Sequence, residues 1–388
     1  MKKQFNTLAV HAGELPDPLT GAVAPVLVRT KTFAQTFDQE ATYQYSRGKH
    51  PTRDKLEEKL TALEGGGFAT TYGSGVAATA ALFSILKPGD HVLCCQEVYG
   101  GTYRLLEKVY AKYGITASYI DFSNEDTVRS QILPNTKLIL VETPTNPSLH
   151  IIDLALVGRI ARQTRILLAV DSTFAPPCAT RPFEFGADIV LQSLSKYIAG
   201  HNDVLGGALI TKRPDVHEQF QFYLKAAGAV LSPDETYRVL QGVKTLKFRW
   251  AAVSATALEI AKRLSNHPKI RRVCYPGLVS HKSHELAKQQ MTNGFGGVVS
   301  FELAKELQSE GQIAKFIHQI TADHTIIYAE SLASPETIIA YPPRMSHKSL
   351  PAEVRQELGI TDGFFRLSLG FEEVEDIWVA IDQGLDTL

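Results

Sequence analysis

The chain has 388 residues, 44% of them hydrophobic and 21% charged, with a net charge of −1. That length supports a large core and two domains, and the balanced charge argues against a nucleic-acid partner, whose phosphates favour a basic face. No stretch reaches the roughly 18 apolar residues of a membrane span, and polar Gln4, Asn6 and Thr7 interrupt any signal-peptide core after Met1-Lys2-Lys3, so the expected location is cytoplasmic.

Residues 1–52 read as an N-terminal arm with weak periodicity. Residues 53–63 predict a helix with Leu56, Leu60 and Leu63 on one face, ended by Gly65-Gly66-Gly67. A strand at 68–72 and an Ala-rich helix at 76–86 follow, then the turn Lys87-Pro88-Gly89-Asp90, a strand at 91–95 and a helix at 102–113. Apolar runs at 115–120, 137–141, 166–170, 189–191 and 208–211 continue the strands, with a helix at 154–163 between them. Near-continuous apolar strands separated by helices predict an α/β fold with a mostly parallel sheet covered on both faces. From residue 251 the pattern changes to a helix at 251–264 and scattered strands at 271–275, 297–303 and 365–369, which read as a smaller α+β domain. The expected division is thus an arm (1–52), a large domain (53–250) and a C-terminal domain (251–388).

Cys94, Cys95, Cys178 and Cys274 form no C-x-x-C pair and read as buried free thiols. His281 and His284 form an H-x-x-H on a predicted helix, but no acid or cysteine stands at a ligand spacing, so a solvated helix face outweighs a metal site and no metal is expected.

The run 166–170 ends on Asp171, and the run 189–191 leads into Gln192-Ser193-Leu194-Ser195-Lys196-Tyr197. In parallel sheets ligands sit beyond the carboxyl ends of strands, where both segments fall. A lysine behind two hydroxyls, with an acid at a neighbouring strand end, suits pyridoxal 5'-phosphate. The amine condenses with the aldehyde, the acid keeps the ring nitrogen protonated, and the hydroxyls bind phosphate. A lone lysine is most often a surface residue; here the apolar setting favours a desolvated amine of lowered pKa. Gly73-Ser74-Gly75-Val76, between a strand and a helix, offers free N–H groups to an anion, although alone it is only a tight turn. Tyr99 could stack on the ring and Asn146 could bond a ring hydroxyl; each alone would be an ordinary loop or turn residue.

Several further stretches carry a resemblance: Tyr43-Gln44-Tyr45-Ser46-Arg47, Tyr99-Gly100-Gly101, Thr143-Pro144-Thr145-Asn146-Pro147, Gly200-His201-Asn202-Asp203, Ala329-Glu330-Ser331-Leu332 and Arg366-Leu367-Ser368. Over nearly its whole length the chain resembles the cystathionine γ-lyases and γ-synthases of the Cys/Met-metabolism family of pyridoxal-phosphate enzymes. The resemblance implies a fold-type I, transferase-like architecture with a pyridoxal-phosphate-binding large domain. It implies that Lys196 carries the cofactor, Asp171 pairs its ring nitrogen, Tyr99 stacks on the ring, and Gly75, Val76, Ser193 and Ser195 hold the phosphate. Tyr45 and Arg47 would reach the phosphate of a neighbouring subunit, within a homotetramer. Asn146, Ser331 and Arg366 would bind the substrate carboxylate, Arg366 through a two-pronged fork.

The chain departs from the family pattern at Ser172 (where Asn is usual), at His50, at Gln44 and at Ala333-Ser334-Pro335, which replaces a Gly-Gly pair and its neighbour. Gln44 and the 333–335 segment could alter substrate choice. Gly101 stands where methionine γ-lyases have a cysteine. Glu330 stands where those enzymes tend to have an apolar residue and bacterial β-lyases an aromatic. Arg104 could meet the distal carboxylate of cystathionine or of an O-succinyl group. The expected activity is therefore cystathionine γ-lyase, with γ-synthase next, β-lyase and methionine γ-lyase behind, and a cofactor-free Rossmann-like binding protein as the remote alternative. No G-x-G-x-x-G follows the first strand to support that last reading.

Overall fold

The computed structural model describes residues 3–346, 348 and 352–388; Met1 and Lys2 of the expected arm lie outside the described residues. Seven strands form the larger sheet: β1 (Phe68–Tyr72), β2 (His91–Cys95), β3 (Thr116–Ile120), β4 (Thr136–Glu142), β5 (Leu167–Asp171), β6 (Ile189–Ser193) and β7 (Gly207–Thr211). Each lies within two residues of the apolar run that predicted it. For β2, β4 and β7 the reason is burial on both faces, which makes the run apolar regardless of alternation; the edge strand β3 is only half-buried.

The strand order is β1-β7-β6-β5-β4-β2-β3. From β6 to β3 every neighbour is parallel, while β7 runs antiparallel to both β1 and β6. The sheet is mostly parallel, as expected. Parallel neighbours need a long crossover, usually a helix. Between β6 and β7 the chain instead makes a short return through residues 194–206, and that return carries Lys196.

The helix α1 (Phe5–His11) lies inside the expected arm. It is tied down by the buried Lys59, whose Nζ donates to the carbonyls of Ala9 (2.7 Å) and Val10 (3.1 Å) and pairs with Glu14 at 2.7 Å. The helix α2 (Pro51–Glu64) starts two residues before the expected position, because Pro51 is accommodated in a first turn whose N–H groups have no helical partner. It stops at Gly65, where φ is 102°. The helix α3 (Gly75–Phe83) is capped by Ser74 and is shorter than expected. The single helix expected over 102–113 is broken into a turn at Gly100–Arg104, a wider turn at Leu105–Val109 and a tight turn at Tyr110–Tyr113, closed by left-handed Gly114. Two helices that the sequence reading passed over, Pro214–Ala227 and Pro233–Val243, both begin with proline in the first turn. Phe220 and Leu224 of the first join the sheet core.

The second sheet joins β8 (Ile270–Cys274), β9 (Val298–Leu303), β10 (Ile326–Tyr328), β11 (Thr337–Ala340) and β12 (Phe364–Ser368) in the order β10-β11-β12-β9-β8. All its pairs are antiparallel except β10–β11. The helix Leu246–Ser265 runs unbroken through position 250/251. Trp250 and Val253 on it share one core with Tyr197 and Leu240 on one side and with Val298 and Leu332 on the other. Residues 194–198 and 331–333 are thereby packed against each other, which positions the site. All four cysteines are buried and unpaired. His281 precedes the helix His284–Gln290 rather than lying on it, and its Nδ1 accepts the Ser283 N–H.

Candidate active site

The carboxyl ends of β4, β5 and β6 open onto a cavity of about 820 Å³. Asp171 is the last residue of β5 and Ser193 the last of β6. Beyond Ser193 the chain enters a wide helical turn, Leu194–Ile198, inside which Lys196 alone is non-helical (φ −101°, ψ −133°). The carbonyls of Tyr197 and Ile198 just after it accept hydrogen bonds from the buried Arg249 at 2.8 and 3.1 Å. A pinned backbone thus aims the lysine, and its Nζ donates to Ser331 Oγ at 2.6 Å.

Burial lowers the Lys196 ammonium to a pKa of about 8, and the nearby Arg366 charge pushes the same way against Glu330. Only the neutral amine attacks an aldehyde. Uptake of pyridoxal phosphate by the ligand-free chain is therefore expected to rise about tenfold per pH unit below that pKa and to level off above it. Stopped-flow absorbance against pH measures this, and a profile still climbing above pH 9 would show that the amine is not perturbed.

Asp171 accepts the Thr173 N–H at 3.0 Å. Burial pushes its carboxyl up to about 6, against the Thr173 bonds. Thr173 Oγ1 also accepts the Ser193 N–H at 2.9 Å, which ties the two strand ends together.

The N-terminus of α3 faces the cavity. Ser74 Oγ accepts the Ala77 N–H at 3.0 Å. A Cβ on Gly75 would lie 3.0 Å from Ser193 Oγ, and one on Gly207 would lie 2.3 Å from the Ser74 carbonyl oxygen. Glycine is what lets β7, the turn and β6 approach so closely. Val76, Ser193 and Ser195 line the same wall. The Ser195 hydroxyl accepts the Gly206 N–H at 2.9 Å.

Arg366, in β12, lines the same cavity and donates to Asn146 Oδ1 at 2.8 Å and to the Ser331 carbonyl at 2.6 Å. Its buried Nε has no partner among the described residues. Burial lowers the guanidinium to about 10, so it stays charged at neutral pH. Ser331 holds φ at 89°, a strained value for a residue with a side chain. Tyr99, Arg104 and Glu330 line the mouth.

The cavity thus brings together twelve of the fourteen residues singled out from sequence. Tyr45 and Arg47 are not among them. They stack on each other at 5.4 Å and line a separate cavity with Lys49 and Lys225. Sequence reasoning missed Glu142, Thr173, Met345 and Ser346, which also line the site. Glu142 carried the same signal as Asp171, an acid closing an apolar strand, and the two stand opposite each other in the β4–β5 register. Met345 and Ser346 follow β11 and carry no local signal.

These residues fit pyridoxal phosphate. Lys196 would take the aldehyde, and Asp171 would face the ring nitrogen. The first N–H groups of α3, together with Ser193 and Ser195, would hold the phosphate at a wall kept free of side chains by Gly75. The unpartnered Arg366 Nε suits a carboxylate.

Comparison with known proteins agrees. The profile of the Cys/Met metabolism PLP-dependent enzyme family matches residues 6–386. A cystathionine γ-lyase of Bacillus subtilis is 42% identical over the whole of both chains. A cystathionine β-lyase of Coxiella burnetii is 41% identical over 97% of this chain and 96% of its own. The crystal structure of cystathionine γ-synthase from Xanthomonas oryzae pv. oryzae, in complex with aminoacrylate and cysteine, superposes with a TM-score of 0.95 at 35% identity, covering 100% of this chain and 99% of that one. Similarity of this kind spans lyases and synthases alike and makes the protein a pyridoxal-phosphate enzyme of cystathionine metabolism. The chain belongs to the Cys/Met metabolism family of PLP-dependent enzymes.

Proposed function

We propose that this enzyme is a cystathionine γ-lyase, which cleaves L-cystathionine to cysteine, 2-oxobutyrate and ammonia. The observation that carries the reading is a pair of opposite charges at the cavity mouth. Arg104 and Glu330 both act on the Tyr99 phenol and line the cavity that also holds the Arg366–Asn146 fork. Cystathionine has an amino-acid group at each end. One carboxylate would meet Arg366 and the other Arg104, leaving Glu330 to meet the distal ammonium. Gly101 supports the γ-lyase and γ-synthase branch over methionine γ-lyase, because a Cβ there would lie 2.4 Å from Tyr99 Cε1. A cysteine at that position would displace the ring. The γ-synthase reading stays second, since Arg104 also suits the carboxylate of an O-succinyl group.

Bound pyridoxal phosphate would supply an aldehyde for the substrate amine and an electron-withdrawing ring at Cα. Lys196 and Tyr99 are the candidate bases. Burial, with Glu330 adding to it, raises the Tyr99 phenol and keeps it protonated, whereas the Lys196 amine is lowered toward neutrality. Lys196 is thus the better base for the Cα proton and then for Cβ, with Ser331 Oγ holding the amine between transfers. The Cγ–S bond breaks with its electron pair on sulfur, which takes a proton and leaves as cysteine. Water then releases 2-oxobutyrate and ammonia from the remaining four carbons. Tyr45 and Arg47 lie outside their own chain's cavity, and the reading assigns them to the phosphate of a neighbouring subunit in a cytoplasmic homotetramer.

Incubation of the loaded enzyme with L-cystathionine tests this. The expected keto acid is 2-oxobutyrate. Pyruvate with homocysteine would make the enzyme a β-lyase, and cystathionine formed from cysteine and an O-acylhomoserine, with little cleavage, would make it a synthase.

A further inference from the structure

Two buried carboxylates near the site take no part in the chemistry above. Glu97 stands in the loop after β2, two residues before Tyr99, and Glu142 closes β4, four residues before Asn146. Each reaches across to the other's loop. Glu97 Oε2 accepts the Thr145 hydroxyl at 2.7 Å, and Oε1 lies 3.1 Å from His150 Nδ1. Glu142 Oε2 accepts the Tyr99 N–H at 2.8 Å, while Oε1 accepts the N–H of Asn146 at 3.1 Å. The backbone of Glu142 itself donates to Cys95 Sγ, at the end of β2, at 3.3 Å.

We propose that Glu142 and Glu97 are positioning residues that cross-brace the Tyr99 loop and the Asn146 loop, setting the distance between the cofactor ring and the substrate-carboxylate fork. The proposal rests on the roles given above to Tyr99 and Asn146. One carboxylate holds both backbones. Tyr99 turns from it toward the ring, and Asn146 turns from it toward Arg366, whose guanidinium it accepts at 2.8 Å. A carboxyl group suits this task because each of its oxygens can accept one N–H. A glutamine in its place would present its own NH₂ to one of the two N–H groups and release one loop. An acid is also an expensive choice here. Burial pushes the Glu142 carboxyl well above the usual range, and Asp171 beside it pushes the same way against the two backbone bonds. A residue serving packing alone would be apolar.

The test uses the pyridoxal-phosphate-loaded enzyme and glycine, an amino acid without a leaving group, whose binding alters the visible absorption whichever reaction the enzyme catalyses. Glu142→Gln is expected to weaken both cofactor and glycine affinity about tenfold, the scale of one lost hydrogen bond. Thr145→Val removes the Glu97 contact and the acceptor of the His150 N–H, leaves both Glu142 bonds in place, and is expected to weaken glycine by a similar factor while leaving cofactor affinity within about twofold. That split between the two ligands is what a merely structural role would not produce. If Glu142→Gln fails to fold, Thr145→Val carries the test. Asn146→Ala is the reference. Wild-type glycine affinity in both brace variants, beside a loss in Asn146→Ala, would overturn the brace alone. Losses of cofactor and glycine that merely track a fall in melting temperature would overturn it too. No loss in Asn146→Ala would overturn the assignment of Asn146 and the brace with it.

Discussion

Replacing Lys196 with methionine is expected to lower turnover by about 10³-fold or more and to remove the absorption of the lysine-linked cofactor. Methionine keeps the apolar stem and deletes the amine. Lys196 is the one lysine among the described residues that line the cavity, so no neighbour can substitute. The same change should stabilise the ligand-free protein at neutral pH. The folded pKa of about 8 lies below the ordinary 10.5, so between those values the unfolded chain binds more protons than the folded one. Wild-type stability therefore rises with pH through that window, and below it the penalty is full, about 3 kcal/mol. Loss of the Ser331 hydrogen bond offsets about 1 kcal/mol of the gain. Thermal unfolding at pH 7 and pH 10 checks this. A variant less stable than wild type at pH 7 would show that the amine is not strained, and one that keeps turnover would show that it is not catalytic.

Arg366→Lys is expected to raise KM for the amino-acid substrate about 100-fold, with a much smaller change in kcat and little change in cofactor affinity. The guanidinium spans Asn146 Oδ1 and the Ser331 carbonyl and still has Nε free among the described residues. An ammonium is a single point charge that cannot keep all three directions at once. Arg366→Ala should do worse and destabilise the fold by about 3 kcal/mol, because it removes the donor to both Asn146 Oδ1 and the Ser331 carbonyl. Steady-state kinetics with a cofactor titration separates the outcomes. A fall in kcat at unchanged KM would mean that Arg366 acts on the transition state and not on the bound carboxylate.

Much of this was legible in the residues. Strands β2, β4, β5, β6 and β7 announced themselves because burial on both faces demands continuous apolar runs. Asp171, Lys196 and Gly75 stood out because polar and flexible residues just beyond such runs have little structural reason to be there. The helices Pro214–Ala227 and Pro233–Val243 were also written in the chain, in Pro214, Pro233 and the Ser232 cap, and were simply passed over. The broken segment over 100–113 was not legible, since its residues suit one continuous helix and only packing selects the wider turn.

Which chemical groups stand at each strand end depends only on residues adjacent in the chain. Which of those groups meet follows from how the strands are ordered and packed. Reversal of β7 turns the Lys196 return across the sheet top, and the order β6-β5-β4-β2 lays Asp171 beside Glu142 and Glu142 beside the Tyr99 loop. Packing of Trp250 and Tyr197 against Leu332 carries Ser331 to Lys196, and β12 carries Arg366 to Asn146. Those partners lie 135 and 220 residues apart. No local propensity encodes such contacts; they follow from how two sheets with their covering helices can share one buried core.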